Sequence, residues 1–116
     1  MRKDYFYISV RNNNTKEVIA EKRSGYSVGD IGLHKGKSWS GAEIWIATHI
    51  PTGTKLTSTE SENTGANKTR NAALKEAQKR ITADENFEQR IADYKKTENF
   101  KQFSKSRYNQ TVTGVF

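Results

Sequence analysis

The sequence contains no cysteine and only one proline among its 116 residues. The lack of cysteine excludes disulfide bonds, thiol catalysis and cysteine-bound zinc, and it is typical of proteins in a reducing compartment, so we expect a cytoplasmic location. No apolar run approaches the roughly 20 residues of a membrane-spanning helix. The amino-terminal residues also lack the apolar core of a signal peptide, so we expect no membrane partner.

Hydrophobic residues are scarce, at 33% of the chain, and acidic residues are outnumbered by basic ones. A chain of this length forms one domain, and we expect a single domain over residues 1–116 with a modest core and a loose tail from about residue 108. The net charge is +7, with +3 in residues 1–60 and +4 in residues 61–116. An excess of positive charge along the whole chain favours a polyanionic partner, most often nucleic acid.

The first half of the chain alternates apolar and polar residues, which predicts strands. Residues 4–11 place Phe6, Ile8 and Val10 on one face. The run Asn12-Asn13-Asn14 supplies a turn, and residues 16–22 return as the second strand of a hairpin. A short strand is expected around residues 27–34, followed by a loop at residues 36–38.

Residues 42–50 form the clearest strand. Ile44, Ile46, Thr48 and Ile50 lie on one face, and because they are bulky and β-branched we expect that face to contact the core. The other face carries Trp45 and His49, which the core does not obviously require. The turn Pro51-Thr52-Gly53 then leads to a partner strand over residues 54–58.

The second half of the chain has helical periodicity. Residues 59–65 are expected to be a connection, and Asn67 is expected to cap a helix whose apolar residues recur from 73 to 81. A capping-box pattern over residues 82–85 predicts a second helix, and a third should begin near residue 97. Residues 112–116 are either an edge strand or loose.

The predicted architecture is therefore an α+β fold. An antiparallel β-meander of four or five strands, at about residues 4–58, is followed by two or three helices, at about residues 67–107, packed on the sheet.

Catalytic chemistry is poorly supported by the sequence. The glycines do not match a phosphate-cradling or dinucleotide-binding motif, so no cofactor is expected. His34 and His49 lack motif partners, and Glu43 lies roughly 20 Å from His49 along the same strand face, too far to share a metal. We therefore expect no catalytic residues, no metal site and a non-enzymatic function.

Aromatic residues interleaved with basic ones carry the functional hypothesis. A sheet face with exposed aromatics can stack unpaired bases while lysines and arginines contact phosphates, so we expect a nucleic-acid-binding protein, with single strands favoured. A basic outer surface on the first helix is a weaker, duplex-binding version. The predicted site residues are Tyr5, Tyr7, Arg11, Lys35, Lys37, Trp45, His49, Lys55, Lys75 and Lys79.

Two alternatives stay open at this point. The helices could cover the face that bears Trp45, which would make its aromatics a second small core. The protein could also be an interaction module that docks on an acidic surface of a partner protein. As a small inhibitor, of the kind found in phages and mobile elements, it would dock on a nucleic-acid-handling enzyme. The sequence leaves the oligomeric state undetermined.

Overall fold

The computed structural model describes residues 1–113 and confirms the predicted α+β meander, with five antiparallel strands followed by helices that pack on the sheet. The strands lie in chain order and are β1 (Arg2–Arg11), β2 (Val18–Val28), β3 (Ile31–Lys37), β4 (Glu43–His49) and β5 (Thr54–Lys55). The helices are α1 (Thr59–Thr64), α2 (Arg70–Ala83), α3 (Phe87–Tyr94) and α4 (Glu98–Thr113). Within residues 1–113 no helix has the length and apolar content to cross a membrane.

The sheet curls into a half-barrel whose concave face is filled by its own side chains. The free edge of β1 meets the turn between β4 and β5, where the Ser9 N–H donates to the Gly53 carbonyl at 2.9 Å. Phe6 is 3% exposed on the concave face, and its ring lies so close to Gly32 that a Cβ there would come within 2.8 Å. The curl therefore brings Phe6 of β1 against Gly32 and His34 of β3 across the concave face.

The helices cover the convex face in two places. Leu33 and Ala47 of the sheet pack against Ala73 and Ala77 of α2, and all four side chains are fully buried. Small alanines allow the helix axis to approach the strands closely. At the other end of the sheet, α4 packs Phe103 on the β2 side chains. The core thus has two parts, one under each helix.

The orientation of β4 decides between two alternatives that the sequence left open. The face that bears Trp45 and His49 is the face that the helices cover. His49 is 6% exposed and its ring meets Phe87 of α3 edge-on, with centroids 5.6 Å apart. Ile44 and Thr48 are also buried, on the concave face. Both faces of β4 are apolar enough to be buried, so the alternation of residues along the strand did not predict which face would pack against the helices.

Residues 27–34 are also different from the prediction of one short strand. They contain the end of β2, a two-residue turn and the start of β3. Gly29, with φ of 57°, takes the first turn position, as in the type II′ turns that suit the twist of a hairpin. The expected loop at residues 36–38 is likewise wrong in part, because β3 continues to Lys37.

The starts of the first two helices also differ from the sequence prediction. Residues 59–64 form α1, where a connection was expected, and the Ser58 hydroxyl accepts from the Ser61 N–H at its start. Thr69, and not Asn67, caps α2 by accepting from the Ala72 N–H at 3.1 Å. Asn67 is instead fully buried beside β4.

The later helix boundaries shift as well. The predicted capping box at residues 82–85 is wrong, because α2 runs through Ala83 and α3 begins at Phe87. Asp84 accepts from the Asn86 N–H in the connection between the two helices. The last helix extends from Glu98 to Thr113, beyond the expected end near residue 107. Of the predicted terminal segment, residues 112 and 113 belong to α4, and residues 114–116 lie outside the described residues.

Candidate functional site

A cleft opens in the sheet where β2 and β3 separate. Their ladder contains only the three pairs from Val28–Ile31 to Tyr26–Leu33. Beyond that point β2 still pairs with β1, and β3 still pairs with β4. The resulting space, about 530 Å³ in volume, is called the β2–β3 cleft here. Its walls include Lys3, Arg23, Tyr26, His34, Lys35, Trp45 and Arg70.

Gly25 marks the point at which the two strands part. A Cβ on this residue would lie 2.0 Å from the Leu33 carbonyl oxygen and 3.3 Å from the His34 Cα. Only glycine therefore allows the two backbones to approach this closely. This contact sets the inner end of the cleft.

The cleft has an aromatic wall with cations on it. The rings of Tyr26 and Trp45 lie 6.1 Å apart at an interplanar angle of 54°. The Arg70 guanidinium lies 4.0 Å from the Tyr26 ring centroid, and the Lys35 ammonium lies 5.8 Å from the Trp45 centroid. Bases stack on aromatic rings and on guanidinium planes, and this wall offers both kinds of surface.

The chain around Asn67 fixes the position of this wall. The Trp45 N–H donates to the Asn67 carbonyl at 2.9 Å, and the Asn67 side-chain amide donates to the Trp45 carbonyl at 2.8 Å. Through these two bonds, β4 pairs at Trp45 with the segment that leads to α2. Because Arg70 is the first residue of α2, the same contacts bring its side chain over Tyr26.

The charge of the cleft is positive. Within residues 1–113, Lys3, Lys35 and Arg70 form no ion pair, and no carboxylate lines the cleft. Arg23 is the exception, because it pairs with Glu21 at 2.6 Å. Three uncompensated cations around one opening create a local potential that attracts anions.

His34 closes the cleft on its inner side in an uncharged form. The side chain is 5% exposed, and its ring lies 5.9 Å from that of Phe6. Burial, with a further contribution from the positive charge of Arg23, lowers the His34 pKa to about 4. Within the described residues, its Nδ1 atom has no hydrogen-bond partner.

Three of the predicted site residues lie at or beside the cleft. Trp45 and Lys35 line it. Tyr5 is 66% exposed and pairs in register with Ser24, which also lines the cleft. The Lys22 ammonium lies 4.9 Å from the Tyr5 ring, so the combination of aromatic and cation is repeated at the rim.

The other predicted residues lie elsewhere. Arg11 is eight positions from Lys3 along β1, about 27 Å at the usual rise of a strand. Tyr7 packs under α4, and His49 under α3. Lys55 is ion-paired with Glu62. The remaining three are exposed, with Lys37 at the end of β3 and Lys75 and Lys79 on α2.

The predicted site contains two of the seven cleft residues named above and lacks the other five, which are Lys3, Arg23, Tyr26, His34 and Arg70. Tyr26 and Arg23 were missed because the turn at Gly29-Asp30 was not recognised, although a glycine followed by aspartate between apolar runs is a hairpin signal. Arg70 was predicted only as part of the basic outer surface of the first helix, in the duplex-binding hypothesis. Its place over Tyr26 depends on a contact between a helix start and a strand that is distant in the chain.

Two further cavities have different chemistry. One of about 350 Å³ lies between β2 and α4 and is lined by Glu17, Gln102 and other polar residues. The other, about 430 Å³, lies beside Tyr7 and Arg107. Neither combines several cations with an aromatic wall. Within residues 1–113, no three histidine, aspartate or glutamate side chains come together as metal ligands.

Comparison with known proteins finds no relative of this chain. No protein-family model matches it, and neither the curated proteins nor the solved structures contain a match. The geometry of the cleft is therefore the basis on which the function of this chain is inferred.

Proposed function

We propose that this protein is a non-enzymatic nucleic-acid-binding protein that holds single-stranded nucleic acid at the β2–β3 cleft. The observation that carries the proposal is the cluster of Lys3, Lys35 and Arg70, without ion pairs in residues 1–113, around the rings of Tyr26 and Trp45. In this proposal the cations contact phosphates, and the aromatic and guanidinium surfaces stack bases.

Single strands are favoured because stacking on a protein ring requires a base that is not already stacked between neighbours. The outer surface of α2, with Lys75 and Lys79, offers charge without aromatic rings. It supports only the weaker duplex-binding hypothesis, since charged outer surfaces of helices are usually just solvated.

The test measures the affinity of short labelled single-stranded and duplex oligonucleotides by fluorescence anisotropy at low and moderate salt. We expect single strands to bind more tightly, and affinity to fall as salt rises, by about 0.7 logarithmic units per phosphate contact and per tenfold rise in salt. Lys35→Glu should weaken binding roughly tenfold at low salt and flatten the salt dependence. Lys79→Glu, with the same change of charge on exposed α2, should have little effect.

Two results would contradict the proposal. Equal losses in Lys35→Glu and Lys79→Glu would mean that net charge, and not the cleft, governs binding. No binding of any oligonucleotide at low salt, together with a stable complex with an acidic protein, would favour the protein-interaction alternative, in which the same cations face carboxylates.

A further inference from the structure

Trp39 is the most exposed large hydrophobic residue in the described structure, with 96% of its surface accessible. It lies in the connection between β3 and β4, residues 38–42. Its neighbours in this loop are serine, glycine and alanine, so no other large apolar side chain adjoins it in sequence. An isolated exposed tryptophan of this kind has no role in the core.

The loop that carries Trp39 is held by several hydrogen bonds. The Ser38 N–H donates to the Ala42 carbonyl, and the Gly41 N–H donates to the Ser38 carbonyl, both at 2.9 Å. The Ser38 hydroxyl is bonded to the Ser40 hydroxyl at 2.9 Å and accepts from the Ala42 N–H at 3.2 Å. Because the backbone is already ordered, binding through Trp39 would cost little conformational entropy.

The position of the loop relates Trp39 to the β2–β3 cleft. Lys35 lines the cleft, and β3 continues from it through exposed Lys37 towards the loop. Trp39 follows Lys35 by four positions, and because Trp39 itself lies in a turn this is at most roughly 13 Å, the length of a fully extended chain. That length corresponds to about four nucleotides at a stacked spacing of about 3.4 Å.

We propose that Trp39 is a second base-stacking site, which binds the same single strand about four nucleotides away from the β2–β3 cleft. This inference rests on the proposed function. Lys37 lies between the two sites and would contact the intervening phosphates. The lysines on β3 favour nucleic acid over a protein partner, because a protein anchor is normally surrounded by further apolar contacts and not by an isolated ring among serines and lysines.

The experiment uses oligothymidylates of about three and about ten nucleotides. For the longer strand, Trp39→Ala should weaken binding roughly five- to one-hundred-fold, the range expected for the loss of one stacked base. For the shorter strand, which reaches only the cleft, wild type and Trp39→Ala should bind equally. Trp39→Phe should retain most of the affinity for the longer strand. Because Trp39 is almost fully exposed, none of these changes should affect folding.

Fluorescence separates the two sites, since the chain has only two tryptophans. In Trp45→Phe, the remaining emission comes from Trp39 and should be quenched by the longer strand alone. In Trp39→Phe, the emission comes from Trp45 in the cleft and should be quenched by both strands.

Each outcome has one meaning. Equal losses for both lengths, or unchanged affinity for the longer strand while Lys35→Glu still weakens it, would overturn the role of Trp39 and leave the cleft proposal standing. Failure of the wild type to bind either length would overturn both. Loss of an acidic protein complex in Trp39→Ala, without any effect on oligonucleotides, would identify Trp39 as a protein anchor and overturn the inference.

Discussion

His34 is an ionisable group that the fold keeps neutral inside a positively charged region. Its ring is buried between Phe6 and the cleft, and Arg23 adds a positive charge nearby. A protonated imidazole would have to lose its hydration and would also be repelled by that guanidinium. The lowered pKa of His34 therefore has consequences for stability in acid.

We expect acid to destabilise the protein through His34. As the pH falls from about 6.5 to about 4, the unfolded chain takes up a proton at His34 that the folded chain does not. The free energy of unfolding should therefore decrease over this range, by up to about 3 kcal/mol. Urea denaturation at a series of pH values measures the decrease.

His34→Gln is the control for this effect, because a glutamine cannot be protonated. The free energy of unfolding of this variant should depend less on pH than that of the wild type. A smaller pH dependence should remain because burial also lowers the pKa of His49. In the wild type, an NMR titration that gave His34 a pKa near its ordinary value would contradict the argument, whether or not the variant folds.

The β2 strand is the element that makes the cleft. Its first residues are bonded by side chains of α4: the Val18 N–H donates to Gln102, and the Ala20 N–H donates to Ser106. Its last residues pair with β3. The β2 residues that line the cleft run from Arg23 to Tyr26, so they lie between the part bonded to α4 and the pair Tyr26–Leu33 with which the ladder to β3 begins.

Gly25→Ala should destabilise the protein and close or distort the cleft. The new methyl group would collide with backbone atoms of Leu33, which cannot rotate away, and we expect a loss of about 1–3 kcal/mol. Gly36→Ala is the matched control on the neighbouring strand, because its Cβ would meet only the mobile end of the Ile46 side chain. Its loss should stay below about 1 kcal/mol.

Chemical denaturation and oligonucleotide affinity of the two variants check this prediction together. Gly25→Ala should lose affinity even under conditions where it remains folded. If both variants lose the same stability, the close contact at Gly25 is not what holds the strands in place.

The closure of the half-barrel depends on contacts between distant parts of the chain. Phe103 of α4 is fully buried against Val18 and Ala20, and its ring also lies against Gly53, where a Cβ would come within 2.5 Å. Gly53 in turn accepts from the Ser9 N–H. One side chain therefore links α4, β2 and the turn that meets β1.

Phe103→Ala should destabilise the whole fold by about 3–5 kcal/mol, since it removes a buried aromatic ring and leaves a cavity. Phe100→Ala is the comparison, because Phe100 is only partly buried beside the same cluster, and its loss should be smaller. Thermal or urea unfolding measures both. Comparable losses in the two variants would show that Phe103 has no special role in closure.

The sequence could predict the order of strands and helices, because alternation with a period of two and recurrence near 3.6 residues are local properties. The sequence-based prediction was wrong at the starts of α1 and α2, where more than one local signal was present. The polar residues 59–64 formed α1, and Thr69 took the capping role expected of Asn67 because Asn67 is buried against Trp45. Capping depends on which polar side chains remain free after packing, and a sequence does not show that.

The sequence by itself determined the strand-then-helix architecture, the basic charge and the presence of aromatic residues between lysines. Only the tertiary structure decided where those residues meet. Curling of the sheet buried Ile44 and Thr48 on one face of β4, packing of α3 covered His49 on the other face, and separation of β2 from β3 left Trp45 and Lys35 beside Arg70. These outcomes depend on long-range contacts, whose free energy is decided by the packing of all the elements together and not by any one segment.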